Sequence, residues 1–221
     1  MELFFSFQTN QNLNLLIRKK KLVAYNVTSL KGRGIDSPQY YYPTRSAIGI
    51  SKKRRADVAW TFTDSTKSWV YAFQDSPVVA IGKSKIPGIN KLGRFDWRKW
   101  KMVSAIGGGP TLIHNGKIHI TNKEEQMFVG GENDKHPRTA MGYTTDGRLI
   151  ILVIEGRFPG IAEGTTLEQE AKILLSLGCY EALNLDGGGS SCMLVNGKET
   201  IKPSDAGGQR PVPAVFMISK Q

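Results

Sequence analysis

A chain of 221 residues with 40% hydrophobic and 9% aromatic content is long enough to bury a sizeable core and too apolar to be disordered. Thirty Lys and Arg against 19 Asp and Glu leave a formal charge of +11, which suits an anionic partner: nucleic acid, phosphosugar, acidic polysaccharide or membrane surface. No run approaches the roughly 18 apolar residues of a membrane span, and Met1-Glu2-Leu3-Phe4-Phe5 lacks the regions of a signal peptide, so the chain as given is expected in the cytoplasm.

In chain order, Phe4 to Phe7 and Leu13 to Ile17 read as strands around a Thr9-Asn10-Gln11-Asn12 turn. Lys20-Lys21 reads as a second hairpin turn before Leu22 to Val27. Residues 28–44 read as a polar loop, with Tyr40-Tyr41-Tyr42 either a sugar-binding wall or an anchor on the core. Arg45-Ser46-Ala47-Ile48-Gly49-Ile50 is echoed by Arg138-Thr139-Ala140-Met141-Gly142-Tyr143. Each echo leads through a polar turn into a β-forming run, Val58 to Phe62 and Leu149 to Ile154, which suggests a sheet built partly by duplication. The basic runs Arg18-Lys19-Lys20-Lys21 and Lys52-Lys53-Arg54-Arg55 read as solvated loop faces. Residues 83–101 combine Phe95, Trp97 and Trp100 with several cations, as in a nucleic-acid surface or an amphipathic segment with its aromatics turned inward. Thr111 to Ile120 reads as a hairpin turning at Asn115-Gly116. One helix is expected, with Thr165 and Glu168 in capping-box spacing, Leu167, Ala171, Leu174 and Leu175 on one face, and Gly178 at its end. Val212 to Ile218 reads as a last strand. Strands predominate over a few helices, so the expected fold is α+β, a single domain around a mixed, largely antiparallel sheet.

The stretch Ala182 to Gly197 carries the chemistry. A short apolar run leads into Asp186-Gly187-Gly188-Gly189-Ser190-Ser191, and a second apolar run closes on an Asn196-Gly197 turn. Successive glycines let amides converge on an anion, with a carboxylate and two hydroxyls at the rim. The bland alternative is a loop whose amides Asp186 caps. Other motifs fail. Gly82-Lys83-Ser84 lacks the first glycine of a P-loop, since that position is Pro77. Gly188-Gly189-Ser190-Ser191-Cys192 lacks the last glycine of a nucleophile elbow. His114, His119 and His136 form no metal-ligand pattern, and Cys179 and Cys192 read as two buried free thiols, although their flanking positions leave a disulfide open.

Several segments in fixed order resemble the phosphodiester glycosidase family: Gly107-Gly108-Gly109-Pro110, His136 to Gly142, Glu155-Gly156-Arg157, Ala182 to Met193, Asn196-Gly197, and Pro203-Ser204-Asp205 through Arg210-Pro211-Val212. The resemblance covers roughly residues 45–218. It departs at Glu155, where the family usually has Asp, and at Cys192, where Thr is common. Phe4-Phe5-Ser6 looks like the tail of the family's Asn-Gly-Gly-Phe-Phe stretch, so an upstream part of the family domain is expected to be missing. A lost leader with it would make the protein secreted or periplasmic.

The resemblance implies hydrolysis between a sugar's anomeric carbon and a phosphodiester oxygen. Within the matching segments, Asp186 first, beside the glycine cradle, and then Glu155 are the residues to activate water or shield the sugar cation, and Arg138, Thr139, Arg157, Asn184, Gly108, Gly187, Gly188, Gly189, Ser190, Ser191 and Arg210 are the expected substrate contacts. No residue is assigned to a metal, and a divalent cation is left open. The expected partner is a small-molecule or polysaccharide sugar phosphodiester such as one of N-acetylglucosamine, with no nucleic acid. The competing classes are a silent sugar-phosphate-binding module and a basic nucleic-acid binder.

Overall fold

A computed structural model describes residues 5, 6, 9, 11–75, 79–83 and 98–219. Two antiparallel sheets organise them. The larger has seven strands in the order Arg98–Lys99, Trp69–Phe73, Ala56–Asp64, Arg45–Ile50, Ser104–Gly107, Leu16–Arg18 and Lys21–Ala24. The smaller has five, in the order Lys117–Ile118, Thr111–His114, Cys179–Asn184, Arg138–Thr144 and Leu149–Ile154. Every strand pairing among the described residues is antiparallel. The mixed character expected of the sheet is therefore not realised. Helix is also scarcer than expected. Leu167–Ser176 is the one α-helix among the described residues, beside short 3₁₀ turns such as Gly188–Ser190.

The echoed segments become equivalent strands. Arg45–Ile50 pairs with Ala56–Asp64, and Arg138–Thr144 pairs with Leu149–Ile154. Both leading arginines are buried, each 2% exposed. Period-two alternation then sorts each strand between two compartments. On the smaller sheet, Ala140, Ile150 and Leu152 face the helix and pack with Leu167, Ala171 and Leu174. The opposite face brings Met141, Leu183 and Leu185 against Ile48 and Val58 of the larger sheet. Ala47, Ala59 and Ala105 belong to a third cluster, on the far side of the larger sheet, with Trp100.

Glu125 locks the two sheets together. Its fully buried carboxylate accepts hydrogen bonds from Ser46 N (2.8 Å), Ser46 Oγ (2.9 Å) and Trp60 Nε1 (3.2 Å) of the larger sheet. It also accepts from Thr111 N (2.9 Å) and Thr121 Oγ1 (2.6 Å) on the other side. Arg45 Nη1 donates to the Glu125 carbonyl, and burial brings the Arg45 guanidinium down to about 10. A buried carboxylate supplied with this many donors is satisfied, so it joins the sheets without leaving an unpaired charge.

Local chemistry corrects several boundaries. The helix is capped one residue later than expected: Thr166 Oγ1 accepts from Gln169 N and Gln169 Oε1 accepts from Thr166 N. Thr165 is instead drawn into a bridge with His136. Leu175 is 38% exposed, off the packed face. Tyr40–Tyr42 is a strand between Ala80–Gly82 and Leu30–Lys31, with Tyr42 buried in the core. The Asn115-Gly116 and Asn196-Gly197 turns both form, with all four residues at positive φ. Pro211 to Ser219 forms no strand, and Val215, Met217 and Ile218 are exposed. Residues 84–97, which carry most of the aromatic-basic stretch, lie outside the described residues. Trp100 is buried and donates to Asp57 Oδ2 at 2.7 Å, with its indole turned inward.

Candidate active site

Strand Cys179–Asn184 delivers the glycine loop to the open end of the cleft between the sheets. A cavity of about 780 Å³ opens there. Its lining includes the polar side chains of Thr139, Asp186, Ser190, Gln209 and Arg210 and apolar ones such as Met141, Ile151, Leu185 and Phe216.

Asp186 is half-buried at this end. Burial raises its carboxyl above the usual carboxylate range, while the Ser190 hydroxyl, the Gly187 amide and the Arg210 charge act against the rise. Ser190 Oγ is enclosed beside that carboxyl. Ser191, buried, accepts a 3.2 Å hydrogen bond from Thr139 Oγ1, which ties the loop to the neighbouring strand.

Of two expected arginines, Arg210 lines the cavity, whereas Arg157 and the carboxylate of Asp205 lie behind it. Arg210 grips Asp205 through Nε–Oδ2 (2.8 Å) and Nη2–Oδ1 (3.1 Å), and Arg157 Nη1 lies 3.8 Å from the same carboxylate. Arg157 adopts φ +67, a left-handed conformation a branched or bulky residue seldom takes. Its guanidinium lies against Gly188, where a Cβ would come within 2.9 Å of Nη2. Glycine at 188 suits its own φ of +61, and a larger residue there would have to displace the Arg157 guanidinium. Asp205 was visible only as part of a matching segment. Its role as the carboxylate shared by two arginines depends on a contact that crosses the fold.

Some expected contacts are not brought to the cavity. Arg138 is buried, its Nε donating to Thr165 O (3.0 Å) and Nη2 to Asp134 O (2.9 Å), with the guanidinium over the Phe128 ring. It faces the helix, where alternation along the strand puts it, and is a structural cation. Asn184 is 1% exposed and its amide donates to the carbonyls of Gly109 and Leu185. Gly108 is wedged against the Asn184 carbonyl. Of the glycine amides, Gly188 N is taken up by Pro137 O, and the following turn is closed by Ser190 N to Gly187 O and Ser191 N to Gly188 O. Glu155 Oε2 accepts from Lys202 N at 2.7 Å and so staples the segment carrying Asp205 and Arg210. Cys179 is buried and Cys192 partly so, and both are free thiols. No group of three or more His, Cys, Asp or Glu side chains converges among the described residues. No helix among them is long and apolar enough to cross a membrane.

The family model described as phosphodiester glycosidase matches residues 61–219. This chain belongs to the phosphodiester glycosidase family. The family assignment spans the smaller sheet, the glycine loop and the Asp205–Arg210 segment, so Thr139, Asp186, Ser190, Gln209 and Arg210 of the cavity lining fall inside it. Among curated relatives, the bovine N-acetylglucosamine-1-phosphodiester alpha-N-acetylglucosaminidase is 34% identical over 112 residues, 47% of this chain and 21% of that protein. The SPbeta prophage-derived protein YomE of Bacillus subtilis is 42% identical over 87 residues, 39% of this chain and 13% of YomE. The chain therefore matches only a small part of these relatives' length. The catalytic domain of the zebrafish N-acetylglucosamine-1-phosphodiester alpha-N-acetylglucosaminidase shares the fold, with a TM-score of 0.56 at 23% identity over 92% of this chain and 54% of that one. A hypothetical protein from Synechocystis does so at 0.54 and 17%, over 90% and 47%.

Proposed function

We propose that this family member hydrolyses the bond between a sugar's anomeric carbon and the oxygen of a phosphodiester. One observation carries the proposal: Asp186, with its carboxyl raised by burial, lines one cavity together with Ser190 and Arg210. A phosphate monoester departs readily as an anion, since its second ionisation lies near pKa ~6. The site then has two tasks, to hold negative charge on phosphate and to admit water to the sugar. Arg210 serves the first, with a guanidinium fork that matches phosphate oxygens, and Arg157 adds positive charge next to it through the shared Asp205.

Asp186 serves the second. Its carboxylate takes a proton from water as the water oxygen bonds to the anomeric carbon. The carbon–oxygen bond breaks with its electron pair leaving on the phosphate. A base whose acidity is brought toward the working pH does this most efficiently. Glu155, given its bond to Lys202 N, positions the arginine-bearing segment and does not touch the reacting atoms.

A second reading is binding without turnover. Asp205 already occupies both arginines, as a resident substitute for substrate phosphate. Release of free sugar and phosphomonoester in equal amounts from a panel of sugar phosphodiesters separates the two. Turnover that Asp186→Asn abolishes, with the circular dichroism spectrum unchanged, supports hydrolysis. Saturable binding by wild type with no sugar release refutes hydrolysis in favour of the binding module.

A further inference from the structure

The two basic runs meet at one end of the seven-stranded sheet. Lys20 N donates to Val103 O (2.8 Å) and Val103 N donates to Ile50 O (2.8 Å), which sets the turn at 19–20 beside the turn closed by Ser51 N and Arg55 O. Arg18 to Lys21, Lys52 to Arg55 and Lys101 are all exposed. Segments 18–21, 51–55 and 101–103 contain no acidic residue. Among the described residues none of these cations is in an ion pair. Asp57, toward the neighbouring strand, is taken up by Trp100 Nε1 and Gln74 Nε2.

This charge is held at a cost to the fold. Lys19 (φ +49) and Lys20 (φ +66) occupy the two left-handed positions of a hairpin turn, and Arg54 (φ +58) occupies another. Asn-Gly is the low-strain choice for such a turn. The same chain makes that choice twice, at Asn115-Gly116 (φ +52, +70) and Asn196-Gly197 (φ +53, +77). Arg18 and Lys21, flanking the lysines, stand directly opposite one another, a like-charge cross-strand pair. Ser68, Gln126 and Phe128 are left-handed too, but only at this end of the sheet do three cations hold that conformation together among the described residues.

We propose that this end of the sheet docks a polymeric sugar phosphodiester, with one anionic phosphate in each repeat, so that the substrate of the site is a polymer. The inference rests on the reading given under Proposed function. Three strand spacings separate the centres of the two turns, about 14 Å at ~4.8 Å per spacing. A single phosphodiester group cannot bridge that distance, whereas successive repeats can. The surface also adjoins the cavity wall. Leu16 and Ile106 line the cavity, and Arg18 and Ser104, two residues along the same strands, reach the basic end about 7 Å away at ~3.3 Å per residue. The three basic segments carry no aromatic side chain on which a base could stack, which disfavours nucleic acid as the natural partner.

The test is fluorescence anisotropy with the full chain and a labelled capsular-type polymer of N-acetylhexosamine repeats joined through C1 phosphodiesters. Its single repeat and an oligothymidylate of equal phosphate number serve as competitors. Lys19→Asn/Lys20→Gly is expected to weaken polymer binding roughly tenfold near 0.1 M salt and to lower the salt slope by about 1.5, as loss of two phosphate contacts requires. The same variant should melt higher than wild type, because the turn is relieved. Release of sugar from the single repeat, where wild type shows it, should not change. The proposal is overturned if the single repeat binds as tightly as the polymer, if the variant binds like wild type, or if oligothymidylate binds more tightly than the polymer. Binding is read without turnover, so a silent site with intact polymer binding would refute the hydrolase and leave the docking surface standing.

Discussion

Arg138 separates a phosphate ligand from a structural cation, because the two roles predict different losses. Arg138→Ala removes donors to the carbonyls of Thr165 and Asp134 and uncovers the Phe128 ring. Hydrogen bonds from a charged group contribute about 1.5–3 kcal/mol each. Truncating a buried side chain adds a cavity that the helix Leu167–Ser176 and the strand cannot close fully. The two bonds alone come to about 3–6 kcal/mol before the cavity is added, and at ~2–4 °C per kcal/mol for a chain of this size the midpoint should fall by roughly 6–24 °C or more. Thermal and urea unfolding followed by far-ultraviolet circular dichroism measure it. Any residual folded fraction, assayed well below its midpoint, should bind sugar phosphate as wild type does. An Arg138→Ala protein that melts within about 2 °C of wild type but no longer binds sugar phosphate would refute the structural assignment.

Further expectations concern the groups around it. Glu170 is fully buried and burial pushes its carboxyl up to about 8, with the Arg138 charge opposing. A folded pKa above the unfolded one means the native state binds the extra proton, so this contribution is whole below about 4.5 and is lost as pH rises toward 8. Glu170→Gln should therefore flatten the fall in melting temperature between pH 5 and 8; an unchanged pH profile would show that another group is responsible. Glu125→Gln keeps the shape but turns an acceptor into a donor facing other donors, at a cost of about 2–4 kcal/mol, read as a lower urea midpoint. Thr166→Ala should cost about 1 kcal/mol through the lost cap. Thr165→Ala leaves that cap intact, and equal losses in both would put its register in doubt.

Much of the site was legible because it is local. The glycine loop, the two Asn-Gly turns and the helix depend on neighbouring residues, and the chain states them directly. The echo around Arg45 and Arg138 was readable too, since a repeated strand repeats its alternation. What was not legible depends on contacts between distant segments. Arg138 and Thr139 are adjacent, and composition alone suggests both for phosphate; only the register against Ile154 and Val153 decides that one enters the helix side and the other the cavity. Asp205 becomes significant when Glu155 pins its segment. The cap moved from Thr165 to Thr166 because the bridge to His136 takes Thr165. Val212 to Ile218 has a strand's composition and yet pairs with nothing among the described residues, since composition names no partner.

The alternation along Arg138–Thr144 and Leu149–Ile154 also bears on how this protein can change. Thr139, Met141, Leu149, Ile151 and Val153 line the cavity, while their immediate neighbours hold the helix. Selection for a new sugar or a different leaving group can act on every second residue with little tax on folding. An insertion or deletion of one residue in either strand exchanges the two sets at once. Drift toward new specificity in this lineage should therefore be recorded as point substitutions at these odd-numbered positions, with the strand lengths held constant.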